Sequence, residues 1–230
     1  MAIVSSGIEI EFMRFDLHGT EQERLLPELI FCYQRVFADS PWDEWLQCSN
    51  KDCAKVYGTK DIQTLRVREF VCCDGHPLVE RWTAPLVAHD LRKELVKDSS
   101  CWLALHEGHV VGFCWGYPIT AEKLELKLGI KGLATALHTH FPEGRFAYQD
   151  EIGVLPGYRD KKIAKELFRN RLSDFVEQGL TVGVVRTKEF PPSVTFSWFT
   201  EKLGYEVIER YSNPDRRVIL ARDISNFSVS

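Results

Sequence analysis

Apolar positions recur along this chain with two periods, and the elements begin where one period gives way to the other. Over residues 8–17 apolar and polar side chains alternate closely enough for a first strand. Thr20 with Glu23 three positions on matches a capping box. A helix is therefore expected over 21–37, burying Leu25, Leu26, Leu29, Ile30, Tyr33 and Val36, with a kink or a later start at Pro27. A broken stripe through Leu78, Val79, Trp82, Leu86, Val87, Leu91 and Leu95 predicts a second helix over 77–96, running past Pro85. Residues 101–105 and 109–117 read as a hairpin about Glu107-Gly108. Residues 121–140 have mixed helical character and are longer than a plain connection requires, a length that suits a lid or an oligomer contact.

The sharpest change of period falls inside 146–178. A strand with Ile152 and Val154 on either side of Gly153 turns at Pro156-Gly157. It then enters an amphipathic helix burying Ile163, Ala164, Leu167, Phe168, Leu172, Phe175 and Val176. Residues 180–186 are β-branched and predict a buried strand. Pro191 and Pro192 precede a helix expected over 193–203, which Gly204 ends. The last hairpin joins 206–211 to 217–221 across Asn213-Pro214-Asp215.

Composition narrows the class. At 230 residues, with 44% hydrophobic and 27% charged, the chain can bury one sizeable core, so a single domain over 1–230 with a cysteine-containing insert at about 46–78 is expected. No apolar run approaches the ~18 residues of a membrane span. The first twelve residues hold no basic side chain, which fits neither a signal peptide nor a transit peptide. Seven cysteines, an odd number with Cys72 beside Cys73, suit reduced thiols better than a disulfide framework, and a cytoplasmic protein is expected. The net charge is −4, yet residues 159–171 carry six basic against two acidic side chains, a local charge of +4. Positive charge gathered at a helix start suits an anion, because the first N–H groups of a helix lack intrahelical acceptors. A solvated basic face on an ordinary helix has the same pattern. With no further basic face and a pI near 6.0, nucleic acid is not an expected partner.

The run from Val154 to Leu167, VLPGYRDKKIAKEL, resembles the signature segment of the GNAT superfamily of N-acyltransferases, in which V-x-P-x-Y-R leads into R-x-x-G-x-G/A. Arg159, Ile163 and Ala164 fit it, whereas Lys162 stands where the family usually has glycine. WFTEKLGYEVI resembles the family's closing segment, with Thr200 in the slot of the usual tyrosine acid. The resemblance covers roughly residues 101–223 well and the first hundred in outline. It implies an α/β (α+β) GNAT fold: a mixed, mostly antiparallel central sheet splayed at its fourth strand, with helices on both faces. It also implies acetyl-CoA as co-substrate. Backbone groups of Ile152, Gly153 and Val154 would meet the pantetheine arm and the thioester oxygen, and Arg159, Asp160, Lys161, Lys162, Ile163 and Ala164 would hold the pyrophosphate. Asp150 and Glu151 are then the candidate catalytic carboxylates. They point to opposite faces of the strand, and Asp150 occupies the place where many relatives put the group that takes the amine proton. A solvated carboxylate pair is the plainer reading of both.

The implied reaction is acetyl transfer to a primary amine of a small molecule or peptide by direct attack, carried out by a monomer or homodimer. The alternative is a GNAT-fold protein with weak or no CoA binding that acts through its insert. Trp42 and Trp45 suit either a pocket wall or ordinary loop packing. In the insert, Cys48 and Cys53 are followed by Cys73 and His76, close to the paired knuckles of a structural zinc site, with Cys72 competing with Cys73. Buried thiols acting as small hydrophobes are the other reading.

Overall fold

The structure is a computed structural model and describes residues 2–5, 8–142, 144–189, 193–211 and 217–227. Pro191, Pro192 and the turn at Asn213-Pro214-Asp215 lie outside the described residues. The chain is a mixed α/β fold whose contacts divide it into two compact units. The first comprises Met1–Lys93, Leu103–Phe113 and Gly153–Ala164, and the second Glu94–Trp102, Cys114–Ile152 and Lys165–Ser230.

In the first unit, β1 (Ala2–Ser5) pairs antiparallel with β2 (Ile8–Arg14), and α1 (Gln22–Ala38) follows. α1 does not use the expected capping box. Its N-cap is Glu21 in a helical conformation without a side-chain cap, and Glu21 instead accepts from the Arg24 guanidinium at 2.8 Å. Pro27 sits inside α1, and Leu25, Leu29, Cys32, Tyr33 and Val36 are buried. A separate three-stranded sheet, ordered β4-β3-β5, is formed by β3 (Leu46–Cys48), β4 (Val56–Tyr57) and β5 (Leu78–Glu80), with α2 (Ile62–Val67) between the last two in sequence. The helix expected over 77–96 is therefore shorter: α3 runs Ala84–Glu94. Pro85 falls in its first turn, where a missing N–H costs no helical hydrogen bond, and the residues before it pair with β3. Trp42 packs on Phe37 at 5.3 Å between ring centroids and Trp45 on Phe70 at 6.3 Å.

β6 (Ser100–His106) and β7 (His109–Ile119) are joined as expected by Glu107-Gly108, both at positive φ, which is what a two-residue I′ turn demands. Sheet neighbours run β1-β2-β6-β7-β8 among strands with residues in the first unit and β6-β7-β8-β9-β11-β10 among those with residues in the second. β8 is Phe146–Val154, β9 Val182–Lys188, β10 Glu206–Arg210 and β11 Arg217–Asp223.

The second unit sandwiches its strands between helices. α4 (Ala121–Leu128) and α5 (Leu133–His140) bury Leu124, Leu133 and Leu137 against Phe146, Tyr148, Val182, Val184, Ile219 and Ala221. α6 (Ile163–Glu177) buries Phe168, Leu172 and Phe175 against Ala147, Val185, Val218 and Leu220. The two sets interleave along each strand, as a period of two requires. Residues 121–140 are thus part of the core. The closing helix is α7 (Val194–Ser197), capped by Ser193 through Phe196 N–H, continuing in π-helical geometry over Trp198–Lys202 and ending at Gly204 with φ +66°.

β9 pairs antiparallel with β11 at seven register positions, but parallel β8 meets β9 at only two, Ala147↔Gly183 and Tyr148↔Val184. Beyond Tyr148 the two strands part. On the other side, a Cβ at Gly116 of β7 would collide with the Tyr148 carbonyl oxygen and come within 3.1 Å of Gln149 Cα. Gly116→Ala must displace backbone, and we expect it to lower stability by about 2–3 kcal/mol, measured by urea unfolding.

Candidate active site and cysteine cluster

In the second unit two carboxylates and a tyrosine, Glu94, Asp150 and Tyr117, gather around one ammonium. Lys127 at the end of α4 places Nζ 2.7 Å from Glu94 Oε1 at the end of α3 and 3.0 Å from Asp150 Oδ2 on β8. Tyr117 of β7 donates its hydroxyl to the same Asp150 oxygen at 2.8 Å, and Trp115 Nε1 donates to the other Glu94 oxygen at 2.9 Å. The Lys127 ammonium also lies 5.3 Å from the Tyr117 ring centroid and 6.0 Å from that of Tyr148, within cation–π range. These charges are largely desolvated: the side chains of Asp150 and Glu94 are 11% and 20% exposed.

Burial first, and the neighbouring Asp150 carboxylate second, push Glu94 from an ordinary 4.5 up to about 7, against the opposing pull of Lys127 and Trp115. For Lys127 burial alone would favour the neutral amine, but the two carboxylates outweigh it and the net shift is upward. Burial and the Asp150 charge raise the Tyr117 phenol strongly, so it stays a donor. Of the two expected carboxylates, Asp150 belongs to this cluster. Glu151 is next to it on the half-buried stretch of β8, and its backbone carbonyl accepts from the buried Arg171 at 2.7 Å. Glu94, Lys127, Tyr117 and Trp115 were not singled out from sequence, because they are spread over α3, α4 and β7 and only packing brings them together.

Tyr205, which follows Gly204 at the end of the closing helix, is 3% exposed, accepts from Gln149 Nε2 at 2.6 Å, and is pushed by burial up to about 12. Thr200 donates to the Phe196 carbonyl one turn back at 2.9 Å.

Residues 153–164 belong to the first unit. Gly153 is glycine for a packing reason, since a Cβ there would come within 2.6 Å of Phe113 and 2.8 Å of Val36. After the 3-10 turn Pro156–Tyr158, Arg159 is extended, and both Asp160 and Lys162 adopt left-handed backbone, at φ 64° and 63°. Lys162 thus keeps the conformation that glycine takes most easily, at a cost of roughly 1–2 kcal/mol, and the chain enters α6 through Ile163, which is buried, and Ala164. Arg159 ties this loop down: Nη1 donates to the Ser40 carbonyl at 2.7 Å and Nε to that of Val154 at 3.3 Å. Tyr158 hydrogen-bonds His106 Nδ1 at 2.9 Å. Lys161 is half-buried beside Asp160.

In the insert, the sulfurs of Cys48, Cys53, Cys72 and Cys73 all lie within 4.8 Å of one another, with Cys48–Cys73 and Cys53–Cys72 each at 3.8 Å. A tetrahedron of Zn–S bonds near 2.3 Å has edges of about 3.8 Å. Two turns bring the thiols together: Cys53 N–H bonds the Asn50 carbonyl, and Cys72 N–H bonds that of His76. His76 is not in the group, and Tyr57 OH reaches Cys72 Sγ at 3.2 Å.

Comparison with known proteins agrees with the mixed α/β fold. The model of the acetyltransferase (GNAT) family matches residues 59–196. A crystal structure of PaiA N-acetyltransferase from Thermoplasma acidophilum in complex with coenzyme A superposes with TM-score 0.53 at 16% identity, over 93% of this chain and 98% of that one. The ribosomal-protein-S18-alanine N-acetyltransferase of Escherichia coli gives 0.52 at 11%, over 96% and 97%. The GNAT domain of PAT from S. lividans gives 0.51 at 13%, over 97% and 96%. No curated protein matches the chain in sequence. Among the described residues no helix is long and apolar enough to cross a membrane.

The raised Glu94 carboxyl fixes the sign of a pH effect. A carboxyl whose folded value exceeds its unfolded one stabilises the fold below about pH 4.5, and that contribution is lost as the pH rises through about 7. Between pH 5 and 8 the wild type should lose on the order of 2 kcal/mol relative to Glu94→Gln, as read by urea unfolding at both pH values.

Proposed function

Since this chain belongs to the acetyltransferase (GNAT) family, we propose that it moves an acetyl group from acetyl-CoA to a primary amine of a small molecule or peptide by direct attack. The observation that carries the chemistry is the Glu94–Lys127–Asp150–Tyr117 cluster. The amine nitrogen bonds to the thioester carbonyl carbon, the C–S bond breaks, and the coenzyme leaves as a thiolate. The proton lost by the amine passes to the carboxylate pair. Asp150 stands two residues before Ile152 on β8, and Glu94 is the member that ionises near neutrality, where a general base works best. Main-chain groups of Ile152, Gly153 and Val154 serve the pantetheine arm and the thioester oxygen. The turn from Arg159 through Asp160, Lys161 and Lys162 to Ile163 and Ala164 serves the pyrophosphate. In this reading Arg159 braces the turn from behind, because its guanidinium is occupied by the Ser40 and Val154 carbonyls.

We also propose a structural zinc held by Cys48, Cys53, Cys72 and Cys73, with Tyr57 supporting Cys72 from outside. Four thiolates close the shell, so the metal has no open position for substrate.

Two measurements test these readings. An amine screen with acetyl-CoA, following free thiol, should find acceptors. With the best of them kcat/KM should rise with pH through about 7, Glu94→Gln should flatten that limb, and Asp150→Asn should lower kcat about 100-fold or more. Thiol release without dependence on amine would sink the transfer reading. Protein purified without added zinc should carry one zinc per chain by elemental analysis. Cys72→Ser should lose the metal and melt roughly 5–10 °C lower, and His76→Ala should keep it; retention by Cys72→Ser would exclude the four-thiolate shell.

A further inference from the structure

A charged side chain lies fully buried in the second unit. Arg171, on α6, is 1% exposed. A guanidinium stays protonated, so its burial must be matched by acceptors. It has three within reach. Nη1 donates to the Trp115 carbonyl on β7 at 2.9 Å and to the Glu151 carbonyl on β8 at 2.7 Å, and Nη2 donates to Gln149 Oε1 at 3.0 Å. Gln149, itself 1% exposed, passes the connection on through Nε2 to the Tyr205 hydroxyl at 2.6 Å.

The relay lies where β8 and β9 part. Pairing ends at Tyr148, and Gln149 is the next residue. A Cβ at Gly183, the β9 residue opposite Ala147, would sit 2.7 Å from the Tyr205 oxygen and 2.9 Å from Gln149 Nε2, so the strand gives up a side chain to make room for that hydrogen bond. A fully paired parallel neighbour would satisfy the main chain of β8 evenly. Here the Arg171 guanidinium takes up one β8 carbonyl, that of Glu151, beyond the point where the ladder ends, and Gln149 links that guanidinium to Tyr205.

We infer that Arg171, Gln149 and Tyr205 are positioning residues for the co-substrate: they hold β8 apart from β9 beyond Tyr148, so that its main-chain groups stay available to the pantetheine arm. This rests on the acetyl-CoA reading above. Arg171 grips β8 at Glu151, and Gln149 fills the gap towards β9 with polar atoms that no side chain of β9 replaces.

The test compares two ligands by calorimetry: acetyl-CoA, which has the pantetheine arm, and adenosine 3′-phosphate 5′-diphosphate, which lacks it. Gln149→Leu breaks both ends of the relay and should weaken acetyl-CoA about tenfold, leaving the nucleotide within about twofold. Gln149→Glu keeps an acceptor for Arg171 and one for the Tyr205 hydroxyl, and should stay within about threefold of wild type for both. Tyr205→Phe, which leaves the ring in place, should weaken acetyl-CoA by about threefold or more should Gln149→Leu fail to fold, with melting curves confirming the folded state. Equal weakening of both ligands, or acetyl-CoA binding within about twofold of wild type in folded Gln149→Leu or Tyr205→Phe, overturns the inference. Wild type that binds the nucleotide and not acetyl-CoA overturns the co-substrate reading, and this inference with it.

Discussion

A strand inside a sheet has polar main-chain groups on both edges, and each needs a partner when buried. β8 meets that demand on its β9 side for two residues and then abandons it. Much of the second unit answers this departure. Gly116 lets β7 approach closely where the split begins, Gly183 clears a side chain from the opposite strand, and the buried guanidinium of Arg171 takes up carbonyls of both β7 and β8. Cores on both faces of the sheet keep the strands in place while one edge is left open. Burying an arginine is costly in an ordinary core. Here it is distributed over three oxygen acceptors.

The carboxylate cluster follows from the same strand. Asp150 comes just after the point of separation and receives Tyr117 from β7 and Lys127 from α4. Glu94 is added because α3 ends where its last carboxylate reaches the same ammonium and the Trp115 indole. Burial first and the neighbouring Asp150 carboxylate second raise the cost of ionising Glu94, and Lys127 offsets it without removing it. That balance leaves Glu94 titrating near neutral pH.

Much of this was legible from the chain alone wherever function depends on contiguous backbone. The strand, turn and helix of 146–178 could be read because period, turn residues and charge all change within about thirty residues, and the family resemblance singled out Asp150, which the fold brings to Lys127 and Tyr117. Lys162 illustrates the limit: its identity departs from the glycine of the signature, but its left-handed backbone does not. The rest was hidden for definite reasons. Glu94, Tyr117 and Lys127 meet only through tertiary packing. Pro85 could be read as interrupting a helix or starting one, and β5 escaped notice because pairing with β3 overrode a helical stripe. Thr20 and Glu23 had the right spacing for a cap, but the N-cap is Glu21, with no side-chain cap bond. Cys72 and Cys73 could not be ranked by spacing, whereas the fold brings both to Cys48 and Cys53.

Lys127 gives the cluster an odd charge count. With Glu94 ionised, two carboxylates surround a single resident cation, leaving one negative charge uncompensated. On the proposed reaction an incoming alkylammonium would offset that excess, giving up one proton to solvent before its nitrogen attacks, whereas the amide made from it is neutral and cannot. On the proposed reaction the attraction that draws the acceptor in disappears when the new bond forms, so turnover weakens the grip on the product without any moving part.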